Sequence, residues 1–383
     1  MIDFWKELER RDKAALPDNV AFHVETRELK AALARLAHGF RRDRTCPIRN
    51  CVKMEFYAKA GRMKLTVDSA ELCLDTGIPA FGEVDQAVCF PFQALKRFIG
   101  LVRGPLTGFR QETEKGWAVL SGTASMRART AAIQEFPEAM KMTGETGLVI
   151  EETEVGQFCG DLQRAARFIS DSDFRRVLSG VLVEWQDSRL NLIATDGKRL
   201  FWAKRAAAAQ EFPKFILPGR AAMLAAKLFA KSRRTIKIHA GEFAEITDGE
   251  TRLTARIITG EFPNYRQVVP TGFSNEATFS AFVLKWGIDC ITGGASCQVS
   301  LEIVPGALRL TNRSEEFGYL MENEVPAVTT DADPGQSILF RSDFLTAATA
   351  IGEHVTMRWR DGYSPVTIAT DEYMYVVMPL RTR

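Results

Sequence analysis

Apolar residues recur at helical spacing in short stretches of the chain, and between them lie runs in which apolar and polar residues alternate as in strands. From Val155, VGQFCGDLQRAARFI places Phe158, Leu162, Ala165 and Ile169 on one stripe. Residues 93–103 do the same with Leu95, Phe98, Ile99 and Val102, and residues 220–231 with Ala221, Leu224, Ala225, Leu228 and Phe229. Each pattern predicts a helix with one face buried. LNLIATDGKRLFWAKR, residues 190–205, reads instead as two strands joined at Asp196–Gly197. Glycine takes a positive φ without steric cost, so Asp-Gly between strand-like runs predicts a hairpin.

These patterns repeat. A strand, a helix and a second strand begin at Val88, Lys214 and Ser337, starts that lie 126 and 123 residues apart. Hairpins begin at Gly61, Ser188 and Gly306, and an earlier helix precedes each, from Thr26, Val155 and Phe279. The period is far longer than that of a solenoid repeat, so the expectation is three similar α+β domains, each with two helices and many strands. The polar stretches near 141–147 and 268–275 set the expected boundaries: an N-terminal extension over 1–20, then domains over 21–144, 145–271 and 272–383.

Composition narrows the class. The chain has 383 residues, of which 46% are hydrophobic and 26% charged, as in a globular protein. No apolar run approaches the roughly 18 residues of a membrane span. The first residues, MIDFWKELERRDKAALPDNV, lack the apolar core of a secretory signal. Seven cysteines without a CxxC pair suit a reduced, cytoplasmic protein. Charge is uneven: residues 271–383 hold 8 Lys+Arg against 14 Asp+Glu, while residues 1–270 hold 42 against 34. Surface variation accounts for this as well as a polyanion-facing region does.

The helices sharpen that choice. Arg220, Lys227 and Lys231 share a stripe away from the apolar one, Lys96 and Arg103 align on residues 93–103, and Arg164 and Arg167 lie off their buried stripe. Arg41 and Arg42 follow the first helix. A basic stripe is most often a solvated face. Its recurrence on equivalent helices of repeated domains points to a shared surface for phosphates, although the third domain is poor in basic residues there.

Catalytic patterns are missing. The four histidines have no metal-ligand spacing with one another or with cysteine, and there is no GxSxG, P-loop, GxGxxG or HExxH. Asp196 has no neighbouring acid or histidine in sequence and is expected to shape a turn. The expectation is a protein without metal, cofactor or enzymatic activity of its own. A nucleic-acid-processing enzyme is the disfavoured alternative.

Three stretches then resemble one family. ATDGKRL (194–200), GEFPNYRQVVP (260–270) and YVVMPLRTR (375–383) are similar, in order and spacing, to motifs of the bacterial sliding clamp, the DNA polymerase III beta subunit. The resemblance covers residues from about 21 onward. It implies a head-to-tail homodimeric ring with helices inside and sheets outside, which encircles duplex DNA without regard to sequence. It also implies binding of a polymerase and a clamp loader through short linear motifs. Matched motif by motif, the peptide pocket would comprise Leu178, Thr195, Gly197, Lys198, Arg199, Leu200, Pro263, Gln267, Val268, Val377, Met378, Pro379, Leu380 and Arg381. The dimer contact would pair Met126 and Ala128 with Ile291 and Thr292. Lys198 stands where the family often has histidine, and Gln267 where it often has arginine. The alternative within the resemblance is a DNA- or polymerase-bound adaptor without stable ring closure.

Overall fold

The computed structural model describes residues 19–138, 140, 147–206, 212–329 and 337–381. Nearly all of the expected N-terminal extension, and the first expected domain boundary, lie outside them. The described residues carry one order of elements three times, with one extra two-residue strand, β5 (Phe81–Gly82), in the first. The first repeat runs β1 (Phe22–Glu25), α1 (Thr26–Leu36), β2 (Cys51–Tyr57), β3 (Arg62–Asp68), β4 (Leu72–Pro79), β5 (Phe81–Gly82), β6 (Gln86–Pro91), α2 (Phe92–Leu101), β7 (Leu106–Thr113), β8 (Gly116–Ser121) and β9 (Ala124–Arg129). The second runs β10 (Gly147–Ile150), α3 (Glu152–Ala165), β11 (Gly180–Gln186), β12 (Arg189–Thr195), β13 (Arg199–Ala206), β14 (Phe215–Pro218), α4 (Gly219–Phe229), β15 (Ile236–Ala240), β16 (Phe243–Thr247) and β17 (Thr251–Arg256). The third runs β18 (Asn275–Ser280), α5 (Ala281–Thr292), β19 (Gln298–Val304), β20 (Ala307–Ser314), β21 (Tyr319–Thr329), β22 (Ser337–Arg341), α6 (Ser342–Ala348), β23 (His354–Trp359), β24 (Val366–Ala369) and β25 (Tyr373–Val377).

Helix ends differ from expectation for local reasons. Lys231 and Arg103 lie past the last turns of α4 and α2, and Ile169 past that of α3. α5 stops where Gly293 takes a left-handed φ of 60°, which costs a glycine little.

Two compact units cut across the repeats. One comprises the residues up to Gly156 together with Lys227–Ile257, and the other comprises Gln157–Ala226 with Ile258–Arg383. Strand pairing supplies the reason. In the first unit the sheets run β5-β1-β7-β8-β9 and β10-β15-β16-β17-β4-β3-β2-β6. In the second a single sheet runs β14-β11-β12-β13-β25-β24-β23-β18-β21-β20-β19-β22. The second repeat therefore gives β15–β17 to a sheet with the first repeat and β11–β14 to a sheet with the third. Stacked rings fill the first unit's core, with Phe22 4.7 Å from Phe109 and 5.3 Å from Phe56. In the second, Trp359, Tyr375, Phe201 and Phe340 are fully buried.

The seams obey one rule. β17, the last strand of repeat two, pairs antiparallel with β4 of repeat one, Leu253 opposite Leu74. β25, the last strand of repeat three, pairs in the same way with β13 of repeat two, Leu200 opposite Val376. Among the described residues, β9, the last strand of repeat one, has only β8 beside it and ends its sheet.

Candidate functional site

The turn between β12 and β13 is built by its own side chains. The Thr195 hydroxyl donates to the Arg199 carbonyl at 2.7 Å and accepts from the Gly197 N–H at 3.1 Å. Asp196 Oδ1 accepts from the backbone N–H of Lys198 and Arg199 at 2.9 and 3.0 Å, and Gly197 holds φ at 87°. Asp196 is thus a turn residue, as its sequence neighbourhood implies. The same hydrogen bonds recur at Thr247–Thr251 between β16 and β17, where Gly249 has φ 85°. A Thr-Asp-Gly turn is therefore a generic device of this fold, and its surroundings decide what it does.

Around the first turn, wholly inside the second unit, lies a cavity of about 270 Å³. Of the residues expected there, it is lined by Leu178, Thr195, Gly197, Lys198, Arg199, Leu200, Pro263, Val268 and Met378. Arg175, Asn264, Tyr265 and Val376 complete the wall. Five expected residues are placed elsewhere. Val377 is fully buried on the opposite face of β25, because successive strand residues alternate in direction. Val376 and Met378 share the cavity side, and that parity was readable from the position of Met378. Gln267 is exposed but does not line the cavity, and Pro379 is buried away from it. The Leu380 N–H is bound to the Leu339 carbonyl at 2.7 Å, and Arg381 is exposed outside the cavity wall.

A firm floor supports this cavity. Leu178, Leu182, Ile193, Leu200, Ile216 and Val376 pack in one apolar cluster with Trp202, Phe262 and Tyr265. Trp202 meets Tyr265 edge-on at 4.9 Å and donates from Nε1 to Asn191 at 2.8 Å. The Tyr265 hydroxyl donates to the Glu184 carboxylate, and burial, together with that bond, raises its pKa. Val268 and Met378, 49% and 40% exposed, leave apolar surface open to an incoming side chain.

The basic residues divide between the units. In the first, Arg41, Arg42, Lys96, Arg103, Lys227 and Lys231 are all exposed. Lys96 and Lys227 come close enough together for both, after partial burial, to lower the pKa of His38, a residue no sequence pattern singled out. In the second unit Arg167 is exposed and Arg220 half-buried. Arg164 departs from its expected role as an open cation. It donates to the Ala350 carbonyl at 3.0 Å and to Asp161 at 3.2 Å, and it lies over the Tyr373 ring.

The expected dimer contact changes more. Met126 and Ala128 lie half-exposed on the edge strand β9. Ile291, however, is only 2% exposed, packed in the core, and Thr292 spends its hydroxyl on the Ile288 carbonyl at 2.8 Å. α5 turns Ile291 inward because its apolar stripe includes Leu284, Ile288 and Ile291. β21 carries open apolar surface, with Leu320 59% and Met321 44% exposed. Among the described residues, no group of three or more His, Cys, Asp or Glu is placed to hold a metal ion, and no helix is long and apolar enough to cross a membrane.

Comparison with known proteins agrees with this architecture. Residues 157–264 match the family model described as DNA polymerase III beta subunit, central domain. The beta sliding clamp of Caulobacter vibrioides is 30% identical over 229 residues, which cover 56% of this chain and 60% of that protein, less than two thirds of its length. That of Pseudomonas aeruginosa is 26% identical over 286 residues, 72% of this chain and 76% of its own. Among solved structures, the DNA polymerase III subunit beta from Pseudomonas aeruginosa superposes with a TM-score of 0.86 at 22% identity, covering 94% of this chain and all of that one. The sliding clamp from Bacillus subtilis gives 0.86 at 16% identity, over 96% of this chain and all of that one. The chain thus has the fold of the solved sliding clamps along its length, and residues 157–264 are similar to the central domain of the DNA polymerase III beta subunit.

Proposed function

We propose that this chain is a DNA sliding clamp: it closes with a second copy around duplex DNA and tethers a polymerase and other partners for processive replication. The pairing rule of the repeats carries this reading. β17 joins β4 and β25 joins β13, so β9 is left seeking the equivalent strand, which is β21. From Tyr319 to Pro326, β21 is paired among the described residues with β20 on one side only. Carrying the observed registers over sets Met126 of one copy opposite Leu320 of the other, with Arg127 opposite Tyr319 and Ser125 opposite Met321. An unpaired strand edge bearing open apolar residues invites such a partner. Repeating one seam in trans gives a head-to-tail homodimer, the closing geometry of a heterologous interface.

Arg41, Arg42, Lys96, Arg103, Arg167, Arg220, Lys227 and Lys231 then supply transient, sequence-independent phosphate contacts. The pocket at the Thr195–Arg199 turn takes the apolar side chains of a short linear motif, and the protein itself performs no catalysis. Loading onto nicked circular DNA, followed by linearisation, tests the proposal. A topologically held ring stays on the circle in high salt and is lost from the linear form. Equal loss from both identifies an adaptor that does not close.

A further inference from the structure

We propose that a second cavity, at the seam between the second and third repeats, binds a small organic anion, with its charged head at Arg167 and its apolar body over Ile288, Ala347 and Ile351. The cavity has a volume of about 360 Å³ and lies wholly inside the second unit. That size falls within the range of small-molecule sites. Arg199 is the one residue it shares with the pocket at the Thr195–Arg199 turn, so its occupant is independent of the peptide-site reading.

Three helices meet in its wall. Arg164 comes from α3 and Arg167 from just beyond it, Ile288 and Asp289 from α5, and Thr346 and Ala347 from α6. The stacked rings of Phe168 and Phe201, 5.3 Å apart, add buried apolar wall together with Ile351. Charge in this wall is matched pair by pair, with one exception. Asp289 accepts from Lys285 at 2.6 Å, and Asp343 accepts from Arg341 at 2.9 and 3.0 Å and from the Ser296 hydroxyl at 2.9 Å. Arg199 donates to Asp196 at 2.9 Å, and Arg164 donates to Asp161 and to the Ala350 carbonyl. Among the described residues, Arg167 alone of the charged wall residues has no ion pair or side-chain hydrogen bond, and it is exposed. Its carbonyl accepts from Arg199 Nη2 at 3.3 Å, which fixes its backbone at the cavity.

An unmatched guanidinium beside an apolar cavity discriminates between occupants. A neutral apolar molecule gains only the surface it buries. A cation meets like charge at Arg167, whereas an anion gains an ion pair in a site from which its own body excludes water. The two wall acids do not oppose that head, because each is held by its own cation. Arg167 is also one of the cations proposed to touch DNA, but a duplex backbone pairs with it from outside and leaves Ile288, Ala347 and Ile351 uncovered. An anion with an apolar body satisfies both parts of the wall.

The test uses the full chain and two probes of one shape, naphthalene-1-sulfonate and its neutral sulfonamide, measured by titration calorimetry. Arg167 is exposed, which keeps the ion pair modest, so the sulfonate is expected to bind about fivefold more tightly at low salt. The gap should close at high salt. Arg167→Gln should shrink it to below about twofold and leave the sulfonamide affinity unchanged. Ala347→Phe fills the cavity and should abolish binding of both probes. Thr346→Phe fills it from the neighbouring position should the first variant fail to fold, which its urea midpoint reveals. Met378→Ala, in the other pocket, should change neither affinity. Equal affinities for the parent chain, no binding of either probe, or a preference that survives Arg167→Gln would each overturn the proposal. Binding that persists in the filled variants, or that is lost in Met378→Ala, would do the same by placing the probes elsewhere.

Discussion

Asp161 offers a sharp test of what holds the pocket's scaffold together. Its carboxylate on α3 is fully buried and accepts from Arg205 Nε at 2.6 Å, Arg205 Nη2 at 3.0 Å, the Tyr373 hydroxyl at 2.7 Å and Arg164 Nη1 at 3.2 Å. Arg205 comes from β13 and Tyr373 from β25, so this one acid ties a helix across the seam that carries the pocket. Replacing Asp161 by alanine leaves Arg205, whose side chain is only 12% exposed, without its buried counter-charge. Breaking a buried pair from one side costs about 3–5 kcal/mol. Glu372, at 2.6 Å from Arg205 but half exposed, recovers part of that, which favours the lower end. The double substitution Asp161→Leu with Arg205→Met removes both charges and should cost far less than the two single changes together, because no desolvated ion remains. Urea unfolding followed by tryptophan fluorescence reads the effect, since Trp185, Trp202, Trp286 and Trp359, four of the six, belong to the second unit. A destabilisation of less than about 1 kcal/mol in Asp161→Ala, or strict additivity in the double variant, would refute the reasoning.

Further outcomes follow from the same structure. Burial pushes the Cys73, Cys89 and Cys159 thiols up to about 12, and burial with the bond to Asp161 does the same for Tyr373. Groups whose pKa is raised on folding stabilise fully below their unfolded values, so stability should fall as pH rises from about 9 towards 12, read as a declining urea midpoint. Met378→Ala should cost about 1–3 kcal/mol of peptide affinity with little change in stability, whereas Val377→Ala, on the buried face, should lower stability by about 2 kcal/mol and spare affinity. Leu320→Asp, or Met126→Asp, should shift the chain to monomer by light scattering, while changes at buried Ile291 act through folding. Neutralising Lys96, Lys227 and Arg167 together should flatten the salt dependence of DNA association by about one unit of slope for each phosphate no longer neutralised.

The sequence by itself determined the repeat, the helices and the turn. Apolar spacing marked both helices of each repeat because one face of each must be buried, and Asp196–Gly197 announced its hairpin because only glycine takes that φ freely. Local chemistry is sufficient for such features. It could not say that ATDG and ITDG, two turns with the same hydrogen bonds, differ in surroundings, since the cavity formed with Met378 and Pro263 lies at the first. Strand parity, once β25 is paired with β13, separated Val376 from Val377. Partners distant in the chain took Arg164 out of the open cations, through Asp161 and Ala350, and brought Arg175 to the cavity wall beside Lys198. Helix packing turned Ile291 inward and left Leu320 outside. In each case the deciding interaction joins residues that lie far apart along the chain, and a pattern of neighbours carries no information about which distant surface will cover a side chain.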